Sequence, residues 1–238
     1  MNMQVESPKN FQQKCLCVLL LDVSGSMRRT ISENSDVKRI DRLNEGVARF
    51  YDDIINRRGG VSATTKDQLE VAIIKFDQEP IVIRKPKLLE FADQPPILTE
   101  RGSTTETVKG IEKALDVINE RKRFYCNTGQ SYYRPWIVLI TDGNPSCPQH
   151  DIDNMAERLN HYMKKKQINM IGVSVVDNVN QETMSKLSGG HNVSLKDFRF
   201  TQFFRWLSNS FSTITKSGED GGYDISGGKD EWMNHIPE

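Results

Sequence analysis

Seven consecutive apolar residues, Cys15-Leu-Cys-Val-Leu-Leu-Leu21, run without a polar interruption into the turn-forming Asp22-Val-Ser-Gly. A strand with one face in water alternates apolar and polar side chains. A run without alternation predicts a central strand covered on both faces. The stretch is too short to span a bilayer or to serve as a signal-peptide core, and the polar Met1–Lys14 segment before it lacks a cationic start. A doubly covered strand needs strands on either side and helices above and below, so this one segment already points to a layered α/β domain.

The rest of the chain fits that expectation. Ile40, Leu43, Val47, Phe50 and Ile54 recur at helical spacing, predicting an amphipathic helix over about 36–58 that Gly59-Gly60 stop. Leu69 to Phe76 and Ile81 to Ile83 read as two strands. The short Asp77-Gln-Glu-Pro80 spacer makes them a hairpin, with the second strand antiparallel at the sheet edge. Val108, Ile111, Leu115 and Ile118 predict the next helix, and the polar stretch from Arg123 to Arg134 an exposed excursion. Further strands are expected at Trp136–Ile140 and Met170–Val176, and helices over 151–166 and near 181–187. The final helix carries Phe200, Phe203, Phe204, Leu207, Phe211 and Ile214 on one side; against a sheet, such a stripe is core. The expected fold class is therefore α/β: a doubly wound, mostly parallel central sheet with one antiparallel edge strand and helices on both faces.

The expected organisation is an N-terminal extension over 1–13, one domain over 14–217 and a flexible, glycine-rich acidic tail over 218–238. Trp232, Met233 and Ile236 are odd for a linker and suit docking on the domain or on another protein. Lys and Arg total 32, as do Asp and Glu, so no charge bias points to nucleic acid or an anionic membrane. The run Lys164-Lys-Lys166 lies at a helix end, where cations meet the negative pole of the dipole. Cys15 and Cys17 share one strand face as apolar residues. With Cys126 and Cys147 they form no paired metal or disulfide spacing, and Cys147 with His150 supplies too few ligands for a soft metal. The chain reads as soluble and cytoplasmic.

Three polar pieces each follow a strand or open a helix: Asp22-Val-Ser24-Gly-Ser26, Thr104-Thr105 after Gly102, and Asp142 in Thr141-Asp-Gly143. In an open parallel sheet, loops at the carboxyl ends of adjacent strands converge on a crevice where ligands bind. Two carboxylates and several hydroxyls are hard oxygen donors, suited to Mg²⁺ or Mn²⁺ and not to zinc or copper. Two negative charges neutralise a divalent ion without filling its shell, and the open position would attract an Asp or Glu carboxylate from a protein partner.

In these residues the chain resembles the von Willebrand factor A family and its metal-ion-dependent adhesion site, whose pattern is D-x-S-x-S, then a Thr, then an Asp commonly in T-D-G. The resemblance spans about 14–215. It implies that Ser24, Ser26 and Thr105 contact the ion while Asp22 and Asp142 act largely through water. Members often carry G-G-T where this chain has Ser103-Thr104-Thr105, so Thr104 stands beside Thr105 as a rival. Gly102-Ser-Thr-Thr105 and Arg134-Pro-Trp-Ile137 are similar to bacterial TerY-like proteins of tellurium-resistance and stress or defence clusters. That likeness implies a scaffold working beside a protein kinase and a phosphatase.

The first rival is a metal-dependent phosphatase-like hydrolase using Asp22. In haloacid-dehalogenase-type enzymes a second Asp follows two residues on; here that place is Ser24. P-loop and G-x-S-x-G motifs are absent, and of the scattered histidines only His150 lies near Asp142 in sequence. The expectation is a binding module and not an enzyme. Self-association through an acidic tail residue such as Asp220, Asp230 or Glu238 is a further expectation.

Overall fold

In the computed structural model, residues 11–176, 179–217 and 233–234 are described. β1 (Cys15–Asp22) is buried along its whole length. Alternation along the strand sends Cys15, Cys17, Leu19 and Leu21 into one apolar layer and Leu16, Val18 and Leu20 into another. The uninterrupted run thus serves two cores at once. All four cysteines are free, and burial pushes the Cys17 thiol well up, so it behaves as a small hydrophobe.

β2 (Leu69–Phe76) and β4 (Trp136–Thr141) flank β1, each parallel to it. β3 (Ile81–Leu88) returns antiparallel beside β2 as the edge strand. β5 (Asn169–Ser174) and β6 (Asn192–Leu195) extend the parallel set beyond β4, and the two-residue β7 (Met233–Asn234) pairs antiparallel with β6. The spatial order is β3-β2-β1-β4-β5-β6-β7. The chain moves outward from β1 through β2 in one direction and from β4 through β5 in the other, so the winding reverses between β1 and β4.

α1 (Arg39–Ile55) and α6 (Phe200–Ser217) cover one face through Leu43, Phe50, Phe203 and Phe211. They approach closely at Gly46, where an added Cβ would lie 2.6 Å from the Phe204 ring. α3 (Thr107–Thr128), α4 (Gln149–Lys164) and α5 (Gln181–Ser188) cover the other face. The aromatic stripe of α6 is core, as the sequence implied. Among the described residues, no helix is long and apolar enough to cross a membrane.

Several boundaries differ from the sequence reading. α1 starts at Arg39 instead of 36 and ends at Ile55, and β3 runs on to Leu88. The short α2 (Ala63–Gln68) and β6 gave no apolar signal strong enough to be expected. The largest correction concerns the supposed excursion after Arg123. α3 continues to Thr128, Gly129 closes it in the left-handed conformation, and Tyr125, Gln130 and Tyr133 are buried. The tail expected after Ser217 lies outside the described residues except for Met233 and Asn234, of which Met233 packs against the α1–α6 core.

The reason α3 continues is a buried polar cluster at the amino end of β2. Arg121 donates from Nε and Nη2 to the two carboxylate oxygens of Glu70 at 2.7 and 2.6 Å, and the Tyr125 hydroxyl donates to Oε2 at 2.6 Å. Burial and the adjacent carboxylate push the Tyr125 hydroxyl far up, so it stays protonated and donating. A two-pronged guanidinium–carboxylate pair with a third donor is the arrangement in which burial of charge is tolerated. Arg121→Ala leaves Glu70 buried and under-paired, and unfolding in urea should show a loss of about 3–5 kcal/mol.

Candidate metal centre

The winding reversal leaves a crevice at the carboxyl ends of β1 and β4, and the expected residues meet there. Asp22 is the last residue of β1 and is fully buried. Its Oδ1 accepts from the Ser24 backbone N–H at 2.8 Å, and its Oδ2 accepts from the Thr141 hydroxyl at 2.5 Å. Thr141 ends β4, so this bond joins the tips of the two strands. The Ser24 and Ser26 hydroxyls lie 3.0 Å apart, and Ser26 donates to Asp142 Oδ1 at 2.5 Å. Pieces over 100 residues apart in sequence thus form one hydrogen-bonded chain.

The middle piece is pinned against both others. The Arg101 backbone N–H donates to Val23 O at 2.8 Å, and a Cβ on Gly25 would lie 2.9 Å from Gly102 O. Only glycine lets the first loop pass that close. Thr105 N–H donates to Ser146 Oγ at 2.9 Å, and Ser146 N–H donates back to Thr105 O at 3.0 Å. The Thr105 hydroxyl lies 3.2 Å from where a Cβ on Gly143 would be, and Ser26 Oγ lies 3.8 Å from the same point. Thr105 therefore sits beside the Ser26–Asp142 contact. Thr104 Oγ1 is buried without a hydrogen-bond partner.

Burial pushes the Asp22 carboxyl up to about 6, the Asp142 charge adds to the rise, and hydrogen bonds from Thr141 and Ser24 oppose it. Two neighbouring carboxylates together with hydroxyls suit a hard divalent cation. Among the described residues no group of three or more His, Cys, Asp or Glu could hold a metal, so a cation here would depend on hydroxyl oxygens. Mg²⁺ and Mn²⁺ accept such donors.

Sequence reasoning missed three participants. Arg39, the first residue of α1, donates from Nη1 to Asp142 Oδ2 at 2.8 Å with its side chain only 14% exposed. It arrives because the 29–39 segment doubles back, Ile31 N–H bonding to Val37 O and Arg39 N–H to Arg29 O. Asp77, just past β2, is buried and pairs with Arg101 at 3.1 Å, bracing the middle loop. Its place at the carboxyl end of a strand adjacent to β1 was a usable signal. Ser146 locks Thr105 and had no signal beyond proximity to Asp142. His150, by contrast, is exposed on α4 and pairs with Asp151 at 3.1 Å, outside this chain of contacts. Arg28 and Lys38, both more exposed than their partner, meet Glu100 at 3.6 and 3.0 Å.

The model of the von Willebrand factor type A domain family matches residues 17–206. No curated protein sequence matches the chain. Among solved structures, it is similar to a point mutant of the PilB minor pilin from Streptococcus sanguinis, at 14% identity over 90% of this chain and 65% of that one, with a TM-score of 0.62. It is also similar to a von Willebrand factor type A protein from Catenulispora acidiphila, at 10% identity over 84% of this chain and 43% of that one, with a TM-score of 0.56. The vWF domain of the type V pili tip protein Mfa5 from Porphyromonas gingivalis matches at 10% identity over 89% of this chain and 98% of that one, with a TM-score of 0.55. At these identities the likeness is one of fold. The chain spans less than half of the Catenulispora protein's length.

Thr141→Val keeps the shape of the β4 tip but removes the donor to Asp22 and the acceptor for Gly143 N–H. In chelator it should lower stability by roughly 1–3 kcal/mol in denaturant unfolding.

Proposed function

The chain belongs to the von Willebrand factor type A domain family, and on that premise we propose that it is a metal-dependent protein-binding module. Ser24, Ser26 and Thr105 hold Mg²⁺ or Mn²⁺ through their hydroxyls, and Asp22 and Asp142 balance its charge largely through water. The ion, when bound, supplies an electron-poor centre for a carboxylate oxygen, and an Asp or Glu of a protein partner takes the open position. The observation that carries this reading is the convergence of two buried carboxylates and three hydroxyl-bearing residues from three loops on one crevice.

The chain's own residues prepare that role. Thr141 and the Ser24 N–H fix both oxygens of Asp22, leaving it oriented and not free to attack a substrate. A hydrolase using Asp22 finds less support for that reason, and because Ser24 stands where a second Asp is needed. The module is read as a non-enzymatic scaffold. Arg28, Lys38 and Arg101 are exposed while their carboxylate partners Glu100 and Asp77 are not, an arrangement that suits an acidic approach surface. From the TerY-like resemblance, the partner is read as a Ser/Thr kinase or phosphatase in a cytoplasmic bacterial stress-response or defence system.

Titration with Mn²⁺, followed by loss of the free-ion magnetic resonance signal, should show one site per chain. Ser26→Ala should weaken it by on the order of 10- to 100-fold. Thr105→Val should do the same while Thr104→Val leaves it unchanged. A pull-down with Mg²⁺ against EDTA then tests the partner: capture that persists in EDTA, or equal Mn²⁺ uptake by all variants, overturns the reading.

A further inference from the structure

Arg39 has no part in the hydroxyl-and-carboxylate constellation, yet it is the cation that touches it. Its Nη1 lies 2.8 Å from Asp142 Oδ2, and the carboxylate is fully shielded from solvent. Asp142 Oδ1 already accepts from Ser26, so Arg39 makes a single bond and not the two parallel bonds that guanidinium and carboxylate commonly form. Its Nε–H is buried without a partner. The guanidinium carbon sits 5.7 Å from the Phe198 ring centre, and the Arg39 backbone is tied to Arg29 O, so the charge is held at the crevice. Lys38 and Arg28 are engaged by Glu100 farther out, and Arg101 by Asp77.

The consequence is a matter of charge. With Asp22 and Asp142 ionised, the two carboxylates would carry two negative charges and a divalent ion would neutralise them. With Arg39 present the group carries one negative charge, and the loaded site ends one unit positive. A guanidinium weakens the hold on a second cation and strengthens the pull on an anion.

We propose that Arg39 is a resident counter-cation of the site: it competes with a divalent ion for Asp142 and then helps to hold the carboxylate which that ion attracts. This rests on the metal-dependent reading of the same crevice. The released guanidinium, with five donors and a buried Nε–H unsatisfied in its present pose, offers the fork that a carboxylate fits. Arg39 therefore sets two properties in opposite directions, lowering affinity for the ion alone and raising affinity for the ion together with an anion.

The test is Mn²⁺ titration of the full chain by magnetic resonance, with and without acetate as the probe anion. Wild type, Arg39→Gln and Arg39→Lys are compared, with circular dichroism as the folding check. Arg39→Gln should bind Mn²⁺ about tenfold more tightly, the effect of removing one unit charge about 6 Å from a divalent ion even under water-like screening. Acetate should tighten Mn²⁺ binding in the wild type, by the reciprocity of linked binding, and should do so far less in Arg39→Gln. Arg39→Lys keeps the charge without the fork, and should match wild-type Mn²⁺ affinity within about threefold while losing most of the acetate effect.

Equal Mn²⁺ affinity in wild type and Arg39→Gln overturns the inference and leaves the metal site standing. Absence of Mn²⁺ binding in every form overturns the inference together with the reading beneath it. If Arg39→Gln does not fold, wild type decides: Mn²⁺ affinity indifferent to acetate overturns the proposal.

Discussion

The buried hydrogen bond from Thr141 to Asp22 ties the carboxyl tips of β1 and β4 together at the place where the winding of the sheet reverses. From there the crossover to β2 leaves in one direction and the crossover to β5 in the other. The loops diverge and leave a gap at the sheet edge. The first loop passes so close to Gly102 that Gly25 cannot carry a side chain there without moving backbone. The third loop exchanges two hydrogen bonds between Ser146 and Thr105. Rigid strands set the positions of Asp22 and Asp142, and loop-to-loop bonds set the hydroxyls between them.

Such an arrangement places like charges together in a poorly solvated spot, which is unfavourable unless something positive answers it. The protein supplies part of the answer in Arg39. The remaining deficit suits the crevice to a cation; burial, with the Asp142 charge adding to it, holds the Asp22 carboxyl above the usual carboxylate range. Hydrogen-bonded hydroxyls orient the carboxylates without neutralising them. Orientation and neutralisation are separate tasks here, carried by different groups.

Much of this was legible in the sequence where the signal was local. The run from Cys15 to Leu21 declared a doubly covered strand because its side chains do enter two cores. Asp22, Ser24, Ser26 and Asp142 could be placed because each follows a recognisable strand within a few residues. The family likeness then rested on the same residues, and the family model covers them. The last turns of α3 were not legible, because Lys122 to Asn127 offer little apolar periodicity and Tyr125 is buried through a bond to Glu70, 55 positions away. α2 and β6 are short, and each depends on neighbours distant in sequence. Arg39 was hidden for a related reason. It looks like an ordinary charged residue at a helix start until the 29–39 segment folds back and delivers it to Asp142.

The two ends of the central strands show how burial of charge can serve opposite purposes. At the amino end, Glu70 of β2 is answered by both prongs of Arg121 and by the Tyr125 hydroxyl, so its charge and its lone pairs are matched within the fold. Nothing is left to attract a ligand, and the cluster's effect is to fasten α3 to the sheet. At the carboxyl end, Asp22 accepts from the Thr141 hydroxyl and Asp142 from the Ser26 hydroxyl, and Arg39, whose own Nε–H stays unmatched, gives a single bond to Asp142. Stability alone would favour the first solution at both ends, because a fully paired carboxylate is the less costly way to bury charge. On the proposed reading, the unmatched negative charge at the switch point is capacity held for a cation from outside the chain.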